Sequence, residues 1–163
     1  GVTRDERGEL GPRGGGVAVE HREGLVEGVA RGGNLAVLCA LLGTPWALPL
    51  EGAVLFLEDI GEAPYRLDRM LTSLRVSGAL RGVRAVVCGQ FTGCNPNADG
   101  VTVDDVLRDR LGDLGVPVLT RAPFGHGDVH RPWVQGARVR VTREGAVAHT
   151  AGLWPVTDAG RGA

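Results

Sequence analysis

The run AVLFLEDIGEAPYRLDRML, residues 53–71, decides the fold class. Its first five residues are an uninterrupted apolar stretch of strand length, which is typical of a strand buried on both faces of a parallel sheet. Pro64 then opens a segment with apolar residues at helical spacing, because proline is tolerated in the first turn of a helix. The inner face of that helix is expected to carry Leu67, Met70, Leu71 and Leu74.

The same strand and helix pattern extends in both directions. Upstream, residues 25–30 predict a strand, Gly32-Gly33 a turn, and Asn34 the N-cap of a helix whose apolar positions are Leu35, Leu38, Cys39 and Leu42. Downstream, residues 83–88 and 116–119 predict two more core strands. Between them, Thr102 and Asp105 have the spacing of a capping box that opens a third helix.

Beyond the loop at residues 121–132 the pattern changes. Residues 137–142 alternate apolar and polar, which predicts a strand with one wet face, and Glu144-Gly145 turns the chain into a partner strand at 146–149. The whole pattern predicts an α/β domain with a mixed sheet, three main helices and a C-terminal β-hairpin. We expect this domain to occupy residues 21–155, between a linker or disordered segment at 1–20 and a disordered tail at 156–163.

Composition excludes several classes of protein. A formal net charge of -1 gives no general attraction to nucleic acid or anionic membrane, and aromatic residues at 4% are too few for a base-stacking surface. No apolar run approaches the length of a membrane span. Three cysteines are an odd number, which favours reduced thiols and a cytoplasmic location. Because Met70 is the sole methionine, we expect a further segment or domain upstream.

Glu58 and His126 are the candidate catalytic residues. Functional groups gather at the carboxyl ends of strands in open α/β sheets, and Glu58 follows the most apolar strand. His126 lies between two glycines in a loop after another strand, where its ring is expected to be accessible. A histidine needs an orienting carboxylate to act as a general base. The plainer interpretations are that Glu58 interacts with the dipole of the following helix, with Asp59 as its cap, and that His126 is a solvated loop residue.

Other candidates remain open at this point. Ser73 and Ser77 are the only serines, and neither has the setting of a nucleophile, while Cys88 and Cys94 lack a supporting motif. His126, Asp128 and His130 alternate and could present metal ligands on one face. Residues 95–100 resemble the start of a calcium loop but lack its closing glutamate, and residues 28–34 lack a nucleotide-binding motif.

Four stretches, in order, resemble the L,D-carboxypeptidase family of serine peptidases, which includes the microcin C immunity protein. They are GGNL at 32–35, GTP at 43–45, the block LFLED with EAPYRLDRML at 55–71, and GHG at 125–127. The resemblance implies a swivelling β/α-type C-terminal domain in which Glu58 and His126 are the acid and the base of a catalytic triad. It implies that the serine lies in an N-terminal domain that this chain lacks, and that no cofactor is needed.

The resemblance also implies a biological setting. Family members typically remove the terminal D-alanine from murein tetrapeptide in the cytoplasm and form homodimers. A peptidyl-nucleotide antibiotic is an alternative substrate. Asp128 and His130 become weak candidates for substrate contacts. A non-catalytic domain that binds metal through His126, Asp128 and His130 is the alternative from a different functional class.

Overall fold

The computed structural model describes residues 26–96, 98–142 and 147–149. These residues form a six-stranded sheet in the order β4-β3-β2-β1-β5-β6. The strands are β1 Val26–Asn34, β2 Ala53–Ile60, β3 Ala85–Thr92, β4 Val118–Leu119, β5 Arg138–Val141 and β6 Val147–His149; the helices are α1 Leu35–Ala40, α2 Pro64–Val76 and α3 Val103–Leu111. β1 to β4 run parallel, whereas β5 pairs antiparallel with β1 and β6 pairs antiparallel with β5. The predicted α/β class with a mixed sheet is confirmed.

Several predicted features lie outside the described residues. They are the N-terminal segment at 1–20, the tail at 156–163, the ends of the domain at 21 and 155, and the turn at Glu144-Gly145. The two strands that this turn would join, β5 and β6, pair as expected.

The helices begin where local sequence chemistry predicts. The Asn34 side chain accepts a 3.0 Å hydrogen bond from Val37 N and caps α1. Pro64 is the first residue of α2, and Thr102 and Asp105 exchange both hydrogen bonds of a capping box at α3. α1 ends at Ala40, so it is shorter than the apolar spacing indicates. The longest helix in the described part of the chain, α2, has 13 residues, and no helix there is long and apolar enough to cross a bilayer.

The predicted turn at Gly32-Gly33 is wrong, because β1 continues through both glycines to Asn34. Both have extended backbones with positive φ, 137° at Gly32 and 138° at Gly33, a region that side-chain-bearing residues rarely adopt. A Cβ on Gly32 would lie 1.9 Å from the Phe56 carbonyl oxygen of the neighbouring strand. Gly32 is therefore needed for a close approach of β1 to β2, and Gly33 for its backbone conformation, and neither reverses the chain.

Two apolar layers sandwich the sheet. The strand order moves steadily from β1 to β4, so right-handed crossovers place α1, α2 and α3 on one face. That face buries the larger core, which includes Leu55, Leu57, Leu67, Leu71, Leu74, Val86 and Leu111. The opposite face buries a smaller core formed by Val54, Phe56, Val87, Phe124, Val139 and the partly buried Trp133. Phe124 and Trp133 belong to the segment 120–137, which returns from β4 to β5 across this second face.

The lengths of β2, β3 and β4 also differ from the sequence prediction. β2 and β3 continue past the apolar runs to Ile60 and Thr92, because their polar ends are still paired with each other. β4 has only two paired residues and lies at one end of the described sheet. The longer strands matter for function, since they place Glu58, Asp59 and Gln90 within the sheet and not in flexible loops.

Candidate active site

Glu58 and Asp59 point to opposite faces of the sheet because side chains alternate along a strand. Asp59 shares the direction of Leu55 and Leu57, toward the helices. Its carboxylate accepts hydrogen bonds from Asn34 Nδ2 at 2.9 Å and from Ala36 N at 3.0 Å, so it caps α1. The prediction that Asp59 caps the following helix is therefore wrong; the N-cap of α2 is Ala63, which makes no side-chain capping bond.

Glu58 points away from the helices, to the face that holds Phe56 and Trp133. Its interaction with the dipole of α2 is thereby excluded as the main reason for its position. The residue is 7% exposed, and a carboxylate so removed from water requires a partner. That partner is His126, whose Nδ1 lies 2.7 Å from Glu58 Oε2 although the two residues are 68 positions apart in the chain.

His126 reaches Glu58 because the segment after β4 crosses over the end of β3. The crossing is held by backbone hydrogen bonds from Ala122 N to Cys88 O at 3.0 Å and from Gln90 N to Phe124 O at 2.9 Å. Gly89 permits the close passage, since a Cβ there would lie 2.5 Å from the Phe124 carbonyl oxygen.

An aromatic cluster anchors the crossing segment to the sheet. The rings of Phe56 and Trp133 stack with centroids 4.4 Å apart, and the ring of Phe124 tilts against Phe56 at 5.4 Å. Phe124 and Trp133 lie on the two sides of His126 in sequence, so burial of their rings fixes both ends of the His126 loop, residues 125–130.

Gly125 brings the loop against the carboxylate. Its φ of 109° is unfavourable for other residues, and a Cβ at this position would lie 3.1 Å from Glu58 Oε2. The predicted role of the flanking glycines, to permit tight geometry and an accessible ring, agrees with this arrangement. The His126 side chain is 50% exposed while that of Glu58 is 9% exposed.

The hydrogen bond determines what the ring can do. A carboxylate accepts a hydrogen bond from Nδ1–H, which leaves Nε2 as the unprotonated nitrogen of the neutral ring. Nε2 is then free to take a proton from a group that approaches from solvent. A buried carboxylate that orients a half-exposed histidine is the arrangement that a histidine needs to act as a general base.

The alternative metal site is not supported. Residues 125–130 are irregular and not a strand, so alternation does not bring His126, Asp128 and His130 to one face. His126 Nδ1 contacts Glu58, whereas His130 Nδ1 lies 2.9 Å from Gly125 O. Asp128 is exposed. Among the described residues, no group of three His, Cys, Asp or Glu side chains is placed to hold a metal ion.

The candidate nucleophiles of this chain are badly placed. Ser73 and Ser77 donate to Arg69 O and Leu74 O near the C-terminal end of α2, whereas Glu58 lies at the sheet edge where α2 begins. Burial raises the pKa of the Cys88 thiol to about 12 and also raises the pKa of Cys94. A thiol held in its protonated form is a poor nucleophile.

Gln90 is the residue at this site that sequence reasoning missed. It lies at the carboxyl end of β3, beside Glu58, and its side-chain Nε2 donates to Val129 O at 3.3 Å. It also lines a cleft of about 260 Å³ together with Thr92, Asp104, Thr120 and Arg121. The signal was available, because a polar residue at the end of an apolar parallel strand is a candidate under the same rule that selected Glu58.

Comparison with known proteins gives one consistent family. The family model for the LD-carboxypeptidase C-terminal domain matches residues 27–141. A protein of Synechocystis sp., whose name assigns carboxypeptidase activity provisionally, is 45% identical over 111 residues, covering 67% of this chain and 37% of the relative. The murein tetrapeptide carboxypeptidase of Pseudomonas aeruginosa is 36% identical, covering 68% of this chain and 36% of that protein.

Solved structures agree with these sequence matches. The crystal structure of muramoyltetrapeptide carboxypeptidase from Oxalobacter formigenes has a TM-score of 0.67 and 36% identity, covering 76% of this chain and 44% of that one. The microcin C7 self-immunity protein of Escherichia coli is a more distant relative, 29% identical over 63% of this chain. The chain spans about a third of the length of the curated relatives it matches.

Proposed function

The chain belongs to the LD-carboxypeptidase family, whose C-terminal domain it matches over residues 27–141, and we propose that it is the C-terminal domain of a serine-type L,D-carboxypeptidase. In this proposal Glu58 and His126 are the acid and the base of a Ser-His-Glu triad. The observation that carries it is the 2.7 Å contact between the buried Glu58 carboxylate and Nδ1 of the half-exposed His126 ring.

The proposed reaction uses the two nitrogens of His126 separately. Nε2 removes the proton from the serine hydroxyl as the oxygen attacks the carbonyl carbon of the scissile amide, and it later gives that proton to the departing amine. Glu58 keeps the other proton on Nδ1 and stabilises the imidazolium formed between these steps. Hydrolysis of the acyl-enzyme by water, with His126 again as base, returns the serine to its free form.

The serine is proposed to come from an N-terminal domain outside this chain. Within the described residues, Ser73 and Ser77 lie toward the far end of α2 and bond to their own helix. The His126 side chain is 50% exposed, so it is accessible to a nucleophile presented by a second domain.

The proposed substrate is murein tetrapeptide, from which the terminal D-alanine is released. This choice follows the names of two relatives that are each 36% identical to the chain, whereas the microcin immunity relative is 29% identical. A peptidyl-nucleotide is the second substrate class to be tested. A cytoplasmic location and a homodimer remain predictions from the family resemblance.

The test compares this chain alone with the same chain joined to a serine-bearing N-terminal domain of the family. D-alanine released from murein tetrapeptide is measured by mass spectrometry, with a peptidyl-nucleotide offered in parallel. We expect D-alanine from the two-domain protein and none from the chain alone. Turnover by the chain alone would place the nucleophile in this chain and contradict the proposal. Cleavage of the peptidyl-nucleotide only would show that it, and not murein tetrapeptide, is the substrate.

A further inference from the structure

We infer that Gln90 is a positioning residue that holds the His126 loop, residues 125–130, against Glu58. This inference rests on the proposed function for its catalytic meaning. Its structural part, that Gln90 keeps the His126 ring in contact with the Glu58 carboxylate, can be tested without any turnover.

The position of Gln90 follows from an irregularity in β3. Leu57 pairs with Cys88 and Asp59 pairs with Phe91, so two steps along β2 correspond to three along β3. The extra residue lies at Gly89-Gln90, directly beside Glu58. Bulges of this kind redirect a side chain and are common next to active sites.

Gln90 contacts the crossing segment on both sides of His126 in sequence. Its backbone N donates to Phe124 O at 2.9 Å, and its Nε2 donates to Val129 O at 3.3 Å. A Cβ on Gly127 would lie 1.2 Å from Gln90 Oε1, so the side-chain amide occupies the space that a larger residue would need. The Gln90 carbonyl oxygen would likewise lie 3.1 Å from a Cβ on Gly125.

The middle of the loop has little else to hold it. Residues 125–130 are exposed or half-buried, and the aromatic anchors Phe124 and Trp133 lie outside them. Within the described residues, the side-chain contacts that hold the loop are those of Gln90, those of His130 Nδ1 with Gly125 N and O, and the His126–Glu58 bond itself. Since a displacement of about 1 Å at a catalytic group can reduce turnover by about 100-fold, these contacts have catalytic consequences.

Gln90 is assigned a positioning role because its contacts are with backbone atoms and not with the His126 ring. Removing the side chain should let Gly127 and Val129 shift and lengthen the distance between His126 Nδ1 and Glu58 Oε2. Without that contact the neutral ring is no longer held with its proton on Nδ1. The tautomer of His126 therefore reports directly on the proposed role.

The experiment combines nitrogen-15 NMR of the histidine ring with kinetics. In this chain, the ring nitrogen shifts of His126 give the tautomer; in the two-domain protein, D-alanine release gives kcat and KM. For Gln90→Ala we expect a mixture of tautomers and a fall in kcat of about 10- to 100-fold, with KM within about twofold. Gln90→Met keeps the bulk and removes the bond to Val129 O, so it should show a smaller change in the same direction.

A double-mutant cycle makes the test specific to the packing of Gln90 on the loop. Gly127→Ala places a methyl group where the Gln90 amide lies, so it should resemble Gln90→Ala. The double variant should be no worse than Gln90→Ala, because the methyl group fills the vacated space. Gln135→Ala, the same change at an exposed glutamine beyond the loop, is the matched control and should match wild type.

The outcomes are distinguishable. If Gln90→Ala keeps the wild-type His126 tautomer and an unchanged kcat, the inference is wrong. This holds even if the variant loses thermal stability. If Gln90→Ala does not fold, Gln90→Met and Gly127→Ala decide in the same way. A shifted tautomer in a protein that hydrolyses neither substrate would support the positioning role and reject the proposed function.

Discussion

Asn34 Nδ2 donates a 2.9 Å hydrogen bond to Asp59 Oδ1, which joins the end of β1 to the end of the neighbouring strand β2. The other Asp59 oxygen accepts from Ala36 N at 3.0 Å in the first turn of α1. Asp59 is 2% exposed, so its carboxylate relies on these donors in place of water. The adjacent Glu58 therefore lies at an end of β2 that hydrogen bonds attach to α1.

Asp59→Ala is expected to destabilise the domain by about 2–4 kcal/mol, because it leaves the Ala36 amide and the Asn34 side chain without their buried acceptor. Urea unfolding followed by circular dichroism measures the change. The matched control is Asp109→Ala, at an exposed position of α3, which should change stability by less than about 0.5 kcal/mol. Equal effects of the two variants would contradict a capping role for Asp59.

The two glycines at the end of β1 provide a second matched pair. Gly33→Ala introduces backbone strain only, since its φ is 138° but nothing lies within 4 Å of a Cβ there. We expect it to cost about 1–3 kcal/mol. Gly32→Ala adds a contact of 1.9 Å with the Phe56 carbonyl and should prevent stable folding. The fraction of folded protein by circular dichroism separates them, and a folded Gly32→Ala variant as stable as Gly33→Ala would show that this contact is unimportant.

Local patterns predicted most of the fold because they record local physics. Asn34, Pro64 and Thr102 mark helix starts through caps formed within a few residues, and the apolar run 53–57 marks the central strand. The prediction of a turn at Gly32-Gly33 was wrong because Gly32 accommodates the neighbouring strand, whose contacting residue Phe56 is distant in sequence. Local sequence carries no record of such a contact.

The candidate site likewise contains residues that the sequence predicts and roles that only the structure shows. Glu58 and His126 could be predicted from the sequence. Glu58 follows the apolar run of a strand, and His126 lies between two glycines in a loop. The direction of Asp59 toward α1 follows from strand alternation combined with the strand order, which the sequence does not state. The role proposed for Gln90 depends on a bulge in β3 that the sequence pattern does not predict.

Cys88 and Cys39 are expected to be protonated, weakly reactive thiols in the folded chain. Burial raises the pKa of Cys88 from 9.0 to about 12 and that of Cys39 to about 11. Between pH 9 and pH 11 the unfolded chain loses these thiol protons while the folded chain keeps them. The unfolded state therefore binds fewer protons, and the contribution of both thiols makes stability fall as pH rises through this range.

Alkylation measures this protection. Iodoacetamide at pH 8, followed by mass spectrometry, should leave Cys88 unmodified in the folded chain and modify all three cysteines in urea. The half-buried Cys39 should react before the fully buried Cys88. Rapid modification of Cys88 in the folded chain would contradict the burial that excludes it as a nucleophile.

Metal content distinguishes the peptidase from the alternative metal-binding domain. We expect far less than one zinc or iron per chain in protein purified without chelators, since His126 and His130 contact different partners. Elemental analysis gives the stoichiometry, and His130→Ala is the informative variant because it removes one proposed ligand while both His126 and Glu58 are retained. About one metal per chain that is lost in His130→Ala would restore the metal-binding hypothesis.

The triad proposal is tested most directly by Glu58→Gln in the two-domain protein. The amide has nearly the same shape as the carboxylate, so the aromatic cluster and the loop contacts should keep the fold. An amide NH₂ group can donate to Nδ1 and so hold the wrong tautomer, and a neutral amide stabilises the imidazolium poorly. Turnover should therefore fall by about 10³- to 10⁴-fold, with a much smaller change in KM.

Glu51→Gln makes the same chemical change at an exposed position just before β2, at the opposite end of the strand, and should keep wild-type turnover. His126→Ala should lose at least as much activity as Glu58→Gln, because the acid acts only through the ring. Combining the two variants should cost no more than His126→Ala alone, since residues that work as a unit are not additive. A folded Glu58→Gln enzyme with near-normal kcat would mean that the 2.7 Å contact is structural, and the assignment of Glu58 to a triad would have to be withdrawn.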